Sequence, residues 1–184
     1  MTFNDKTVWI IGASSGIGKA LSITMAKLQA NVVLSSRNVE ELEKVKNRCV
    51  HYTENCFLIP LDLEKNNDYS SNVKEVIQRY GSIDYLILNG GISQRSFAFE
   101  TPLKIDRRIM EINYFGNIAI TKAVLPYMME QKSGHIVVVS SVVGKFGFPL
   151  RSTYSASKHA LHGYYETLRA EQASNRIKVT IVIP

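Results

Sequence analysis

Two residue types capable of proton chemistry stand four positions apart in Tyr154-Ser155-Ala156-Ser157-Lys158. On a helix, residues at that spacing share one face. A free phenol, with a pKa of about 10, is too weak an acid to supply a base at neutral pH. A lysine charge at roughly 4 Å is worth about 4 kcal/mol at an effective dielectric near 20. That brings a phenol's ionisation toward the range where general acid/base catalysis works best. Ser141 closes an apolar run thirteen residues before Tyr154. Its hydroxyl can hold a reacting oxygen and stabilise the charge that develops there. Ser140 beside it faces the other side of a strand. Together these groups can move a proton to or from a carbonyl or alcohol oxygen.

A second constellation binds anions. The apolar run Thr7–Ile11 leads into Gly12-Ala13-Ser14-Ser15-Gly16-Ile17-Gly18. Gly12 allows a tight turn, Gly16 lets backbone approach a pyrophosphate, and Gly18 permits close helix–strand packing. The free N–H groups and the positive end of the following helix then face the anion. Ser14 and Ser15 add hydroxyl donors, and Ile17 completes the loop. The spacing is one residue wider than the common dinucleotide fingerprint. It is not a Walker loop, because no Lys-Ser or Lys-Thr follows the last glycine. After the second apolar run the chain reads Leu34-Ser35-Ser36-Arg37-Asn38, with no acid before Glu40. An acid here would select NAD through its ribose hydroxyls, whereas a base accommodates the extra phosphate of NADP. Arg37, with its planar fork, therefore predicts NADP(H) in preference to NAD(H).

The elements that must position these residues follow from hydrophobic patterning. Short apolar runs occur at Thr7–Ile11, Asn31–Ser35, Cys56–Leu61, Tyr85–Leu88, His135–Ser140 and Lys178–Ile183. Most are continuous, as strands buried on both faces are. Helical patterns separate them: Gly16–Ala30, Val39–Tyr52, Asp68–Tyr80, Pro102–Glu130 and Ser152–Ser174. This alternation predicts an α/β fold, a doubly wound parallel sheet of the Rossmann type with helices on both faces. Ligands then bind outside the carboxyl ends of the strands, where the residues above fall.

The whole chain resembles the short-chain dehydrogenases/reductases of the compact subgroup, through Gly12–Gly18, Asp62, Asn89-Gly90-Gly91, Asn113, Ser141, Tyr154 and Lys158. Asn89-Gly90-Gly91 and the stretch around Asn113-Tyr114-Phe115-Gly116 look most like membrane-associated vertebrate members. The resemblance implies transfer of the pro-S hydride of NADP(H) to a carbonyl, or the reverse. It assigns Tyr154 as acid/base, Ser141 rather than Ser140 as the group that positions substrate, and Lys158 as the charge that also binds the ribose. It implies that Asn113 interrupts its helix and offers a carbonyl to a proton-relaying water. Asp62 resembles the acid that meets the adenine amine, and Asn89 and Gly90 the segment along the adenosine; both sites also suit turns. Three departures stand out: Ile11 for the usual threonine, Leu88 for the first asparagine, and Gly90 for alanine. They put local rigidity in question more than proton transfer. The enzymatic rival is a 3-oxoacyl-carrier reductase; the rival of another class is a regulator that binds NADP(H) without turnover.

At 184 residues the chain is expected to form one dinucleotide-binding domain, 1–184. The net charge of +6 is scattered rather than striped, which argues against nucleic acid. No apolar run is long enough to span a membrane. The two cysteines match no metal motif and suit a reducing cytoplasm. His159 and His162 read as a partly exposed helix face, Trp9 as core, and Phe146, Phe148 and Leu150 as the wall of an apolar substrate cleft. The long helices Pro102–Glu130 and Ser152–Ser174 resemble those that pair family members, implying a homodimer or homotetramer. The apolar stretch Ile177–Ile183 suits a strand with neighbours on both edges, so the chain is expected to be truncated after its sixth strand.

Overall fold

The computed structural model describes residues 3–65 and 68–184. Six parallel strands form its sheet: β1 (Thr7–Ile11), β2 (Asn31–Ser35), β3 (Cys56–Leu58), β4 (Tyr85–Leu88), β5 (Gly134–Val139) and β6 (Ile177–Val182). Their order is β3-β2-β1-β4-β5-β6. Side chains alternate across each strand, and both faces are apolar. Trp9, Ile11, Leu86, Leu88, Ile136 and Val138 face one side. There they meet Val73 and Val76 of α3 (Ser70–Tyr80), Ile120 and Val124 of α5 (Gly116–Glu130), and Leu161, Tyr165 and Leu168 of α6 (Ser152–Glu171). Val8, Ile10, Val32, Leu34 and Ile87 face the other side. They pack on Ala26 of α1 (Gly16–Lys27) and on Leu42 and Val45 of α2 (Val39–Cys49). Trp9 is core, and its indole N–H donates to Ser35 Oγ at 2.8 Å.

The order reverses between β1 and β4, so the crevice at a switch point opens over their carboxyl ends. The loops Gly12–Ser15 and Asn89–Gly91 leave the sheet there. The long helical pattern from Pro102 is three pieces: α4 (Leu103–Met110), a π turn over Glu111–Phe115, and α5. That turn carries Asn113, and π turns often mark functional sites.

Several ends differ from the sequence reading. β3 stops at Leu58 rather than Leu61 because Pro60 cannot donate to a ladder. α1 stops at Lys27 because Gln29 turns left-handed, with φ 65°. α6 ends at Glu171, ahead of Arg176 at φ 59°. β6 lies at the sheet edge, pairing with β5 alone among the described residues. Cys49 and Cys56 are free and buried in the α2 side of the core.

Candidate active site

The switch-point crevice is a cavity of about 260 Å³. Gly12, Ser14, Ser15, Arg37, Asp62, Asn89 and Gly90 line it together. Residues from four separate loops therefore converge on one cavity. Gly12 adopts φ +80°, and a Cβ there would lie 2.7 Å from Gly90 N. Gly18 is packed harder, since a Cβ would lie 2.1 Å from Gly12 O. Asn89 staples the two loops, its side-chain amide donating to Gly12 O at 3.1 Å. A Cβ on Gly16, at φ +52°, would meet nothing within 4 Å, which leaves open space before the first turn of α1. That helix has no side-chain cap and no acid in its first turn. Its free N–H groups and positive end suit an anion. The cradle fits the pyrophosphate of a dinucleotide.

Arg37 is half-exposed at the far end of this cavity. Its guanidinium lies 3.7 Å from Glu64. Arg108 holds the same carboxylate at 3.0 Å, so Glu64 is shared and Arg37 keeps donors for a phosphate. Asp62 closes a turn by accepting from Glu64 N at 3.0 Å and also lines the cavity. Ile17 is the exception. Its side chain lines a separate apolar groove with Leu21, Met25, Val139 and Val182.

Beside the cofactor crevice lies a second cleft of about 420 Å³. Ser141 and Tyr154 line it with Ser93, Val142, Phe146 and Phe148. The two phenylalanines are 53% and 56% exposed, so the cleft has an apolar, open rim. Leu150 does not line it; its backbone is left-handed at φ 64° and accepts from Ser96 N. Ser141 leaves β5 at the N-cap position of the short 3-10 turn Val142–Gly144 without using its side chain as a cap, while Tyr154 sits in the first turn of α6.

Lys158 lies one turn further along α6 and is only 5% exposed. Its ammonium is 5.7 Å from the centre of the Tyr154 ring and donates to Val139 O at 2.8 Å. Burial pushes its pKa down to about 8. Asn113 is fully buried in the π turn. Its side-chain oxygen accepts from Ile92 N at 2.7 Å, while its amide donates to Ile92 O at 2.9 Å and Ser157 Oγ at 3.0 Å. Its main-chain carbonyl accepts from the Asn117 amide at 2.8 Å. Asn113 thus grips the cofactor loop and α6 at once.

The sequence reading missed three contributors. Gln94 is buried, and its side chain accepts from Tyr154 N at 3.2 Å and donates to Ser152 Oγ at 3.2 Å. Asn117 reaches from α5 to Gly90 O at 3.3 Å. His162 is buried rather than on an exposed face, because Nε2 pairs with Ser140 Oγ at 3.0 Å. Only His159 of that pair is exposed. Burial pushes the His162 pKa down, with the Lys145 charge adding to the effect.

The three departures prove to be packing solutions. Ile11 and Leu88 are register partners in β1 and β4, both buried, so two usual polar residues have given way together. A Cβ on Gly90 would lie 2.7 Å from Leu63 Cδ1. Glycine there makes room for Leu63.

Comparison with known proteins gives a consistent picture. The family model for short chain dehydrogenases matches residues 6–184. The human protein "Dehydrogenase/reductase SDR family member 7" is 45% identical over 174 residues, which is 92% of this chain and 51% of the relative. A "Dehydrogenase/reductase SDR family protein 7-like" from Anopheles gambiae is 46% identical, covering 98% of this chain and 59% of its own length. The chain thus spans about half the length of the curated relatives it matches. A metagenomic short-chain oxidoreductase solved in complex with NADP superposes with a TM-score of 0.94 at 26% identity, covering 100% of this chain and 84% of that one.

Proposed function

The chain belongs to the short-chain dehydrogenase/reductase family, and we propose that it is an NADP(H)-dependent oxidoreductase acting on a carbonyl or alcohol. One observation carries this reading: Tyr154 and Ser141, from different elements, line one cleft beside the dinucleotide crevice, with Lys158 buried one turn behind. The NADP bound to the metagenomic neighbour supports the cofactor assignment, as does Arg37 after β2, where the chain has no acid before Glu40 to take the ribose hydroxyls.

A bound nicotinamide supplies or takes up the hydride. The first turn of α1 would hold its pyrophosphate, Asp62, Asn89 and Gly90 its adenosine, and Arg37 its extra phosphate. Ser141 donates a hydrogen bond to the substrate oxygen, fixing it against Tyr154. In the reducing direction Tyr154 gives that oxygen its phenolic proton; in the oxidising direction it takes the proton back. The Lys158 ammonium stabilises the phenolate left behind. Its burial keeps water from screening that charge. Asn113 holds the cofactor loop and α6 in register; the Asn117 amide takes one lone pair of its carbonyl, and the other would anchor the relay that returns protons to Lys158. Phe146 and Phe148 favour a substrate with an apolar body. We further propose that the protein is a homodimer or homotetramer through α5 and α6.

The test is NADPH oxidation by the purified protein across steroid, aldehyde, quinone and 3-oxoacyl carbonyls, run beside Tyr154→Phe. Turnover with at least one class, lost in the variant, is expected. The same rate in both proteins contradicts the assignment.

A further inference from the structure

The catalytic helix begins without a cap of its own. Its N-cap residue, Arg151, makes no side-chain cap hydrogen bond, and no acid stands in the first turn. First-turn N–H groups have no partner within a helix and must find one elsewhere. For Tyr154 the partner is Gln94, sixty residues earlier: Oε1 accepts the Tyr154 N–H at 3.2 Å. Nε2 of the same side chain donates to Ser152 Oγ at 3.2 Å, so both ends of one amide grip the first turn of α6. Arg151 grips back, donating to Gln94 O at 2.7 Å and to Ser93 Oγ.

Gln94 is no surface residue that happens to reach this helix. It is 8% exposed. It follows directly on the segment Asn89–Ile92 that lines the cofactor crevice, and on Ser93, which lines the cleft with Ser141 and Tyr154. Two residues before it, Ile92 is pinned through both backbone groups by the Asn113 side chain. The strand-end loop that supports the cofactor is therefore fixed at Ile92 and fastened to the catalytic helix at Gln94.

We propose that Gln94 is a positioning residue for Tyr154, acting as a cap borrowed from the cofactor loop. It sets the first turn of α6, and with it the phenol, against that loop. This rests on the oxidoreductase reading above. Gln94 does not touch the cofactor cavity itself, so its removal should spare binding and harm chemistry. A reacting group displaced by about 1 Å loses roughly a hundredfold in rate.

The discriminating set is Gln94→Leu, Gln94→Glu and Tyr154→Phe in the full protein. Gln94→Leu should lower kcat by roughly ten- to a hundredfold, with KM and the NADPH Kd within about twofold. It should also speed amide hydrogen exchange at residues 152–155. Gln94→Glu keeps the acceptor and adds a charge that a helix start favours, so it should restore kcat to within about threefold of wild type and restore slow exchange. Wild-type kcat, or unchanged exchange, in Gln94→Leu beside an inactive Tyr154→Phe overturns the proposal alone. So does an equal loss of NADPH binding and turnover in both Gln94 variants, which would mark a merely structural role. Full turnover in Tyr154→Phe removes Tyr154 from the proton step and overturns this proposal with it, whereas no turnover of any carbonyl class by the wild type overturns the oxidoreductase reading.

Discussion

At the scale of single residues, Lys158 carries a cost that can be measured without substrate. Its folded pKa of about 8 lies below the ordinary 10.5. The unfolded chain therefore binds more protons than the folded one between those values, and stability rises with pH through that window. Below it the buried ammonium costs the fold up to about 3 kcal/mol, offset in part by its bond to Val139 O. Lys158→Met should abolish turnover yet raise the melting temperature at pH 7, with the gain fading as pH rises from about 8 to above 10.5. A lower melting temperature at pH 7 would count against this. Arg37 makes a second residue-scale prediction. A charge-assisted contact is worth about 1.5–3 kcal/mol, so Arg37→Ala should cut the preference for NADPH over NADH by at least roughly tenfold. Titration of both cofactors checks it; equal losses would remove Arg37 from the phosphate site. Tyr154, Lys158 and Ser141 were legible because their relation is local or set by a strand end. Gln94 and His162 were not, since the partners that give them meaning lie 60 and 22 residues away.

At the scale of elements, the site depends on how closely β1, α1 and β4 approach. A Cβ on Gly18 would lie 2.1 Å from Gly12 O and 2.8 Å from Asn89 Nδ2, and the first of these is backbone that cannot step aside. Gly18→Ala should therefore destabilise the fold by about 1–3 kcal/mol and open the pyrophosphate turn. Thermal melts with and without NADPH test this: a lower melting temperature and a smaller shift on adding cofactor are expected. A variant as stable as wild type, with an unchanged shift, would contradict the packing argument. The strands were legible from continuous apolar runs, five of them to within one residue at each end. The π turn was not legible from periodicity, which Pro102–Glu130 keeps throughout; only the family resemblance implied an interruption at Asn113, whose side chain is pulled inward to Ile92 and Ser157. The pairing of Ile11 with Leu88, and the fit of Gly90 to Leu63, likewise depend on register and on a loop the pattern does not encode.

At the scale of the whole molecule, the surfaces of α5 and α6 bear on assembly. Phe115 is exposed beside a surface depression lined with Ile118 and Ala119. Ala156 and Gly163 leave the outer face of α6 low, and a Cβ on Gly163 would meet nothing within 4 Å. Small residues of this kind let helices approach closely. Light scattering should give at least twice the chain mass, and Gly163→Arg should reduce it; a fully active monomer would contradict the pairing. The proposed reaction passes a hydride and a proton through the cleft of Ser141 and Tyr154. The direct measurement follows deuterium from (4S)-deuterated NADPH into the alcohol product of a carbonyl substrate, in wild type and in Tyr154→Phe. Label should appear in the wild-type product. In the variant it should appear at least roughly a hundredfold more slowly, while NADPH binds within about twofold of wild type. Transfer at the wild-type rate from Tyr154→Phe, or none from wild type with any carbonyl class, would contradict the account.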